Sequence, residues 1–241
     1  MAYRFNRTIL REYDIRGIVG QTLGEDDARA IGRTFGTIIK RSGGSTVAVG
    51  RDGRLSSPAL CTALVDGLTA SGCDVIRTGL GPTPMLYYAE AVLPVDGGIQ
   101  ITGSHNPGDY NGFKMVFGHK SFFGPDIQTL GAMAAAGDWE SGAGSVSDQD
   151  MEDAYLARLI EGLSLGSYRI GWDAGNGAGG RIIARVTAML PGEHHLLFTD
   201  IDGNFPNHHP DPTEEKNLEH LKALVAEKQL DFGLAFDGDA D

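Results

Sequence analysis

Cysteine is nearly absent: among 241 residues only Cys61 and Cys73 carry a thiol. With no histidine cluster beside them, neither a disulfide framework nor a structural zinc site can organise the fold, and a reducing cytoplasm is the expected setting. Long apolar runs are missing as well. Nothing approaches the roughly 18 consecutive apolar residues of a spanning helix, and residues 1–10 contain no signal-peptide core, so no membrane is expected as a partner. Positive charge is scarce: 20 Lys and Arg against 32 Asp and Glu give a net charge of −12. Such a surface repels nucleic acid and anionic lipid alike, and an anionic substrate would need cations placed locally for it.

Glycine, by contrast, is abundant. Its 35 occurrences are about twice the usual share, and many fall where apolar segments end. Thr22 and Glu25 read as a capping box opening a helix over 25–40, striped by Ala28, Ile31, Phe35 and Ile38. Residues 46–50 read as a short buried strand delivering Arg51-Asp52-Gly53-Arg54, and Ser57-Pro58 as the cap and first turn of a helix closed by Gly72. A strand over 73–76, a loop over 79–84 and a helix over 85–91 follow. The most linker-like composition lies at 137–145. We expect two consecutive α/β domains, 1–147 and 148–241, each a mixed, mostly parallel sheet with helices on both faces.

The segment richest in chemistry is 97–115. A buried strand over 98–102 breaks into Gly103-Ser104-His105-Asn106-Pro107, and Pro107 with Gly103 and Gly108 makes the loop tight. A hydroxyl (Ser104), an imidazole (His105) and the amine of Lys114 fall within a short stretch, a nucleophile with groups able to move its proton. A plain surface turn would carry the same residues. Earlier, the charged segment 11–17 ends in a glycine that marks a turn and is a functional candidate, or else only a solvated opening strand. At the end, Asp237-Gly238-Asp239-Ala240-Asp241 follows a strand over 230–236. Three carboxylates at alternate positions can wrap one hard divalent cation, or form an acidic tail.

Between these lies a competing motif. A strand over 168–173 empties into Gly175, Gly177 and Gly180 before an apolar helix over 181–190, and the next strand, 196–199, ends at Asp200. That is the spacing of a dinucleotide fingerprint and makes a Rossmann-type NAD-binding domain the rival reading, against which stand its mid-chain position and its failure to account for the serine loop. His208 and His209 sit in an extended loop with three prolines and lack the helical pairing that would fix metal geometry.

Residues 102–107 with 110–114, the opening segment 11–17 and the aspartates of 237–241 resemble the motifs of the α-D-phosphohexomutases, in their phosphomannomutase/phosphoglucomutase branch. Gly103 departs from the pattern, alanine being commoner there, and the change should leave the serine undisturbed. The resemblance implies that Ser104 carries the phosphoryl group exchanged with the sugar. It implies that Asp237, Asp239 and Asp241, with Ser104, bind Mg²⁺, that Arg16 steadies the phosphoryl group, and that Lys114 and His105 move the proton. Mannose or glucose phosphate would be the substrate and hexose 1,6-bisphosphate the activator. The family pattern continues into third and fourth domains, so this chain is expected to be a truncated piece with little turnover alone. It assigns the glycines at 175–180 to helix packing. An NAD-binding dehydrogenase domain and a non-catalytic metal-binding or interaction module stand as the alternatives.

Overall fold

Two sheets take up the apolar segments, in a computed structural model that describes residues 2–164 and 166–241. The first unit runs β1 (Ile15–Ile18), α1 (Glu25–Arg41), β2 (Thr46–Arg51), α2 (Ser57–Ala70), β3 (Asp74–Leu80), α3 (Thr83–Val92), β4 (Gly97–Ile101), β5 (Tyr110–Phe117), β6 (Lys120–Ser121), α4 (Pro125–Ala136) and β7 (Val146–Asp148). Its sheet has the order β1-β5-β4-β2-β3-β7, with β6 paired to β5. Strands β2, β3, β4 and β7 are parallel, whereas β5 is antiparallel to both β4 and β1. The second unit runs α5 (Glu152–Ile160), β8 (Tyr168–Asp173), α6 (Gly180–Thr187), β9 (Gly192–Leu197), α7 (Glu219–Lys228) and β10 (Phe232–Ala235). Its sheet is the parallel trio β10-β8-β9. Two α/β units with mixed and parallel sheets are what the alternation of segments implied. Among the described residues no helix is long and apolar enough to cross a membrane.

The first core lies between the sheet and α1, α2 and α4, where Ile31, Phe35, Leu64, Ile99, Phe113 and Leu130 are fully buried. Helices α1 and α2 approach backbone to backbone. A Cβ on Gly67 would lie 2.1 Å from the Arg29 carbonyl oxygen, and one on Gly32 would lie 2.2 Å from that of Leu64. A separate apolar seam joins the two units: Met85 and Ala89 of α3 pack with Met151, Tyr155 and Leu156 around α5 and with Ile182 of α6.

Several local expectations are corrected. The capping box does not use Thr22 and Glu25. Thr22 Oγ1 accepts the Ile18 N–H at 2.9 Å and closes the turn after β1, while Gly24 caps α1 and its N–H donates to Asp27. Ser57 is not a free cap either, because its hydroxyl donates to the buried carboxylate of Asp52. Strand β3 continues into the expected loop as far as Leu80, because β2 pairs with Gly79 and Leu80 beyond the register shift between Val49 and Gly50. The glycine-rich stretch after α4 is anchored, with Arg41 gripping Asp138 and Glu140 and β7 adding to the sheet. Strand β5 was hidden within the serine-loop motif.

Candidate active site

Parallel strands release their loops at their carboxyl ends, and here those ends face one another across the two units. From the first sheet come Asp52 after β2, Thr83 after β3 and Ser104 after β4; from the second come the turn at Gly175 and the aspartates after β10. Ser104 sits at φ 49°, the left-handed region that side chains usually avoid. Its N–H donates to Thr102 Oγ1 at 2.9 Å, and its hydroxyl donates to Asp237 Oδ2 at 2.7 Å. His105 is exposed, with Nδ1 3.4 Å from Ser104 Oγ. Arg16 is buried in β1; its Nη1 donates to the Gly103 carbonyl at 3.1 Å, and its Nη2 is clamped by Asp14. In the β1–β5 register Arg16 faces Gly112, so Arg16 and Lys114, two residues farther along β5, share one face of the sheet.

Lys114 is the hub of the acidic loop. Its ammonium donates to Asp239 Oδ2 at 3.0 Å and to Asp241 Oδ2 at 2.6 Å. Burial alone would lower this amine, but Asp239 and Asp241 outweigh burial and raise it, so Lys114 stands here as a charged donor. Burial opposes ionisation of Asp239 too, yet Lys114 and the Thr83 hydroxyl hold its carboxyl below the ordinary range. Asp237 goes the other way. Burial, then the charge of Asp239, pushes it up to about 6 against the hydrogen bond from Ser104.

The three aspartates are not drawn to one point, since Ser104 engages Asp237 while Lys114 spans the other two. Among the described residues no group of three or more His, Cys, Asp or Glu side chains closes into a metal cage. The donors themselves nevertheless suit a hard divalent cation. All are oxygens, only two of the three carboxylates are bridged by the Lys114 ammonium, and Asp239 Oδ1 is buried with no hydrogen-bond partner. A cation would satisfy that orphaned oxygen.

All seven residues singled out from the sequence, Ser104, His105, Lys114, Arg16, Asp237, Asp239 and Asp241, thus lie around one junction, with His105 on its exposed rim. Four others lie there that were not among the expected site residues, although each falls in a loop segment that the sequence marks. Thr83 bonds Asp239 directly, Asp14 orients Arg16, and Asp52 with Arg54 underlies the serine loop. Their partners are remote in sequence, and only the charged or hydroxyl residues at strand ends gave a hint.

The dinucleotide reading is overturned by the same geometry. The glycine turn that should cradle a pyrophosphate is packed against the aspartate loop: Ala178 N–H donates to the Gly238 carbonyl at 2.9 Å, and a Cβ on Gly177 would lie 2.9 Å from the Asp237 carbonyl oxygen. Gly180 packs on the backbone of Thr199, where a Cβ would meet the carbonyl oxygen at 2.1 Å. Strand β9 runs from Gly192 to Leu197, earlier than expected, because pairing with β8 draws in Glu193 and His194. Asp200 therefore does not end that strand.

Residues 7–138 match the family model described as phosphoglucomutase/phosphomannomutase, alpha/beta/alpha domain I, and residues 153–241 match the model of domain II. A phosphomannomutase/phosphoglucomutase of Pseudomonas putida is 45% identical over 235 residues, covering 97% of this chain and 51% of the relative. A phosphoglucomutase of Neisseria gonorrhoeae is 44% identical over 238 residues, covering 98% of this chain and 52% of its own length. The crystal structure of a phosphoglucomutase/phosphomannomutase family protein from Burkholderia thailandensis superposes with a TM-score of 0.94 at 45% identity, over 98% of this chain and 53% of that one. The chain spans about half the length of the curated relatives it matches.

Proposed function

Because the chain belongs to the phosphoglucomutase/phosphomannomutase family, we propose that it carries the phosphoserine and metal-binding parts of a phosphohexomutase. The reaction interconverts the 1-phosphate and 6-phosphate of a hexose, mannose or glucose, through a phosphoserine and a hexose 1,6-bisphosphate. We assign 1–147 to the domain bearing the serine loop and 148–241 to the domain bearing the aspartate loop. The observation that carries this reading is the hydrogen bond from Ser104 to Asp237, which brings a nucleophile on one loop against a carboxylate cluster on another.

Asp237, Asp239 and Asp241, with an oxygen on Ser104, would hold Mg²⁺, which when bound neutralises charge on the phosphoryl oxygens. In the first transfer the bond between Ser104 Oγ and phosphorus breaks as the sugar hydroxyl oxygen bonds phosphorus. The hydroxyl proton passes to His105, on the open side of the loop, and His105, with Nδ1 3.4 Å from Ser104 Oγ, delivers a proton to the departing serine oxygen. Arg16 steadies the travelling group: its Nε is buried without an acceptor and can donate to a phosphoryl oxygen. When the other phosphate returns to Ser104, His105 takes the serine proton as Oγ bonds phosphorus, the Lys114 ammonium supplies a proton to the departing sugar oxygen, and exchange with solvent returns both groups to their starting states. The free thiols of Cys61 and Cys73, both pushed up by burial, suit a reducing cytoplasm.

Incubation with glucose 1,6-bisphosphate and MgCl₂, followed by mass mapping of phosphate, tests the reading. One phosphate on Ser104 supports it. Phosphate confined to other residues, or none on a folded protein that binds the bisphosphate, would overturn it.

A further inference from the structure

We propose that Arg54 is a positioning residue that holds Ser104 in the conformation from which phosphate is exchanged, an inference that rests on the phosphoserine reading above. Arg54 is fully buried, and its fork serves the serine loop alone. Nη1 donates to the carbonyls of Pro107 at 2.6 Å and Tyr110 at 3.0 Å, and Nη2 to those of Ser104 at 2.8 Å and Asn106 at 2.6 Å. Four carbonyls spread over the seven residues from Ser104 to Tyr110, the serine loop and the start of β5, thus converge on a single side chain.

The guanidinium is itself fixed from behind. Asp52 Oδ2 lies 3.2 Å from Arg54 Nε and also accepts the Gly103 N–H at 3.1 Å, while Asp52 Oδ1 accepts the Arg54 N–H at 3.0 Å. The packing leaves no slack on the loop side, where a Cβ on Gly103 would come within 2.3 Å of Arg54 Cζ. From the second unit the Phe205 ring closes over the guanidinium at 5.3 Å. Ser104 occupies its left-handed backbone, a conformation that persists only when its surroundings over-determine it. The clamp supplies that determination. A lysine could not replace it, because an ammonium offers three donors around one point and no planar fork.

The prediction separates geometry from fold. In the full chain, Arg54→Lys should lower the rate of Ser104 phosphorylation by saturating glucose 1,6-bisphosphate by about 100-fold, the scale of a misplaced reacting group, with the half-saturating concentration little changed. Arg54→Gly should behave likewise, and added ethylguanidinium should restore much of its rate. In parallel, hydrogen exchange should quicken at the amides of residues 103–110 in both variants and stay unchanged in α1 and β2. Wild-type phosphorylation by Arg54→Lys, or unaltered exchange in the loop, would overturn the proposal. If Arg54→Gly does not fold, the lysine variant decides. If even the wild-type chain takes no phosphate, the phosphoserine reading fails instead, and the exchange data alone decide whether Arg54 fixes the loop.

Discussion

Thr83 and Asp239 are joined twice across 156 positions of chain: the Thr83 hydroxyl donates to the Asp239 carboxylate, and the Thr83 N–H donates to the Asp239 carbonyl at 2.9 Å. The start of α3 therefore sets the orientation of the central aspartate in the acidic loop. Thr83→Val keeps the shape and the backbone bond but removes the hydroxyl. Magnesium affinity should fall by about 10–100-fold, the usual effect of losing a group that orients a metal-binding side chain. Calorimetric titration with MgCl₂ checks this, and an unchanged affinity would mean that the hydroxyl only fills space.

Ser104→Ala deletes the proposed acceptor together with its bond to Asp237. The variant should take up no phosphate from glucose 1,6-bisphosphate while keeping its fold. Retention of wild-type labelling would remove Ser104 from the reaction.

Gly67→Ala tests the closest helix packing. The added methyl would meet backbone, the Arg29 carbonyl oxygen at 2.1 Å, with no flexible side chain to move aside. Destabilisation of about 1–3 kcal/mol is expected, as for other overpacked cores. Urea unfolding monitored by circular dichroism would measure it, and a midpoint equal to wild type would show that α1 and α2 can part without cost.

A histidine under the second sheet should make stability depend on pH. His208 Nε2 lies 2.9 Å from Asp173 Oδ2 and its Nδ1 lies 2.9 Å from the His209 carbonyl, so both ring nitrogens face acceptors. The hydrogen bond with Asp173 is the main cause of its raised pKa, against partial burial. A raised histidine contributes stability that is complete below its ordinary value near 6.5 and is lost as pH climbs through the folded value. Melting temperature should thus decline as pH rises above 6.5, and His208→Gln should flatten that decline. An identical slope in the two proteins would assign the pH dependence to another group.

The sequence made the serine loop, the aspartate loop and most strands legible because each announces itself locally. Ser104 stands between a buried strand and a proline, and Asp237, Asp239 and Asp241 alternate within five residues. Strand β5 was illegible for the opposite reason. Asn111 and Gly112 break its apolar pattern, and only in the fold does Asn111 become acceptable, buried with Nδ2 donating to the hydroxyls of Ser56 and Ser57. The roles of Thr83, Asp14 and Arg54 depend on partners that only tertiary structure supplies. The choice of Asp27 over Glu25 for the α1 cap turned on Thr22 being engaged with Ile18. The glycines at 175–180 left a dinucleotide rival standing beside the packing role that the family resemblance assigned them, because a tight strand-to-helix turn has the same composition whether it approaches a pyrophosphate or another loop.

The apolar seam of Met85, Ala89, Met151, Tyr155, Leu156 and Ile182 has a thermodynamic consequence when set beside the serine and aspartate loops. The two sheets are tied by this patch and by loop contacts, so their unfolding need not be a single event. A ligand gripping both loops binds only the docked pair, and by mass action it adds about 2.7 kcal/mol at one hundred times its dissociation constant. Two calorimetric transitions in the unliganded chain would then draw together into one as magnesium and bisphosphate are added, so that the ligand sets how cooperatively the molecule unfolds.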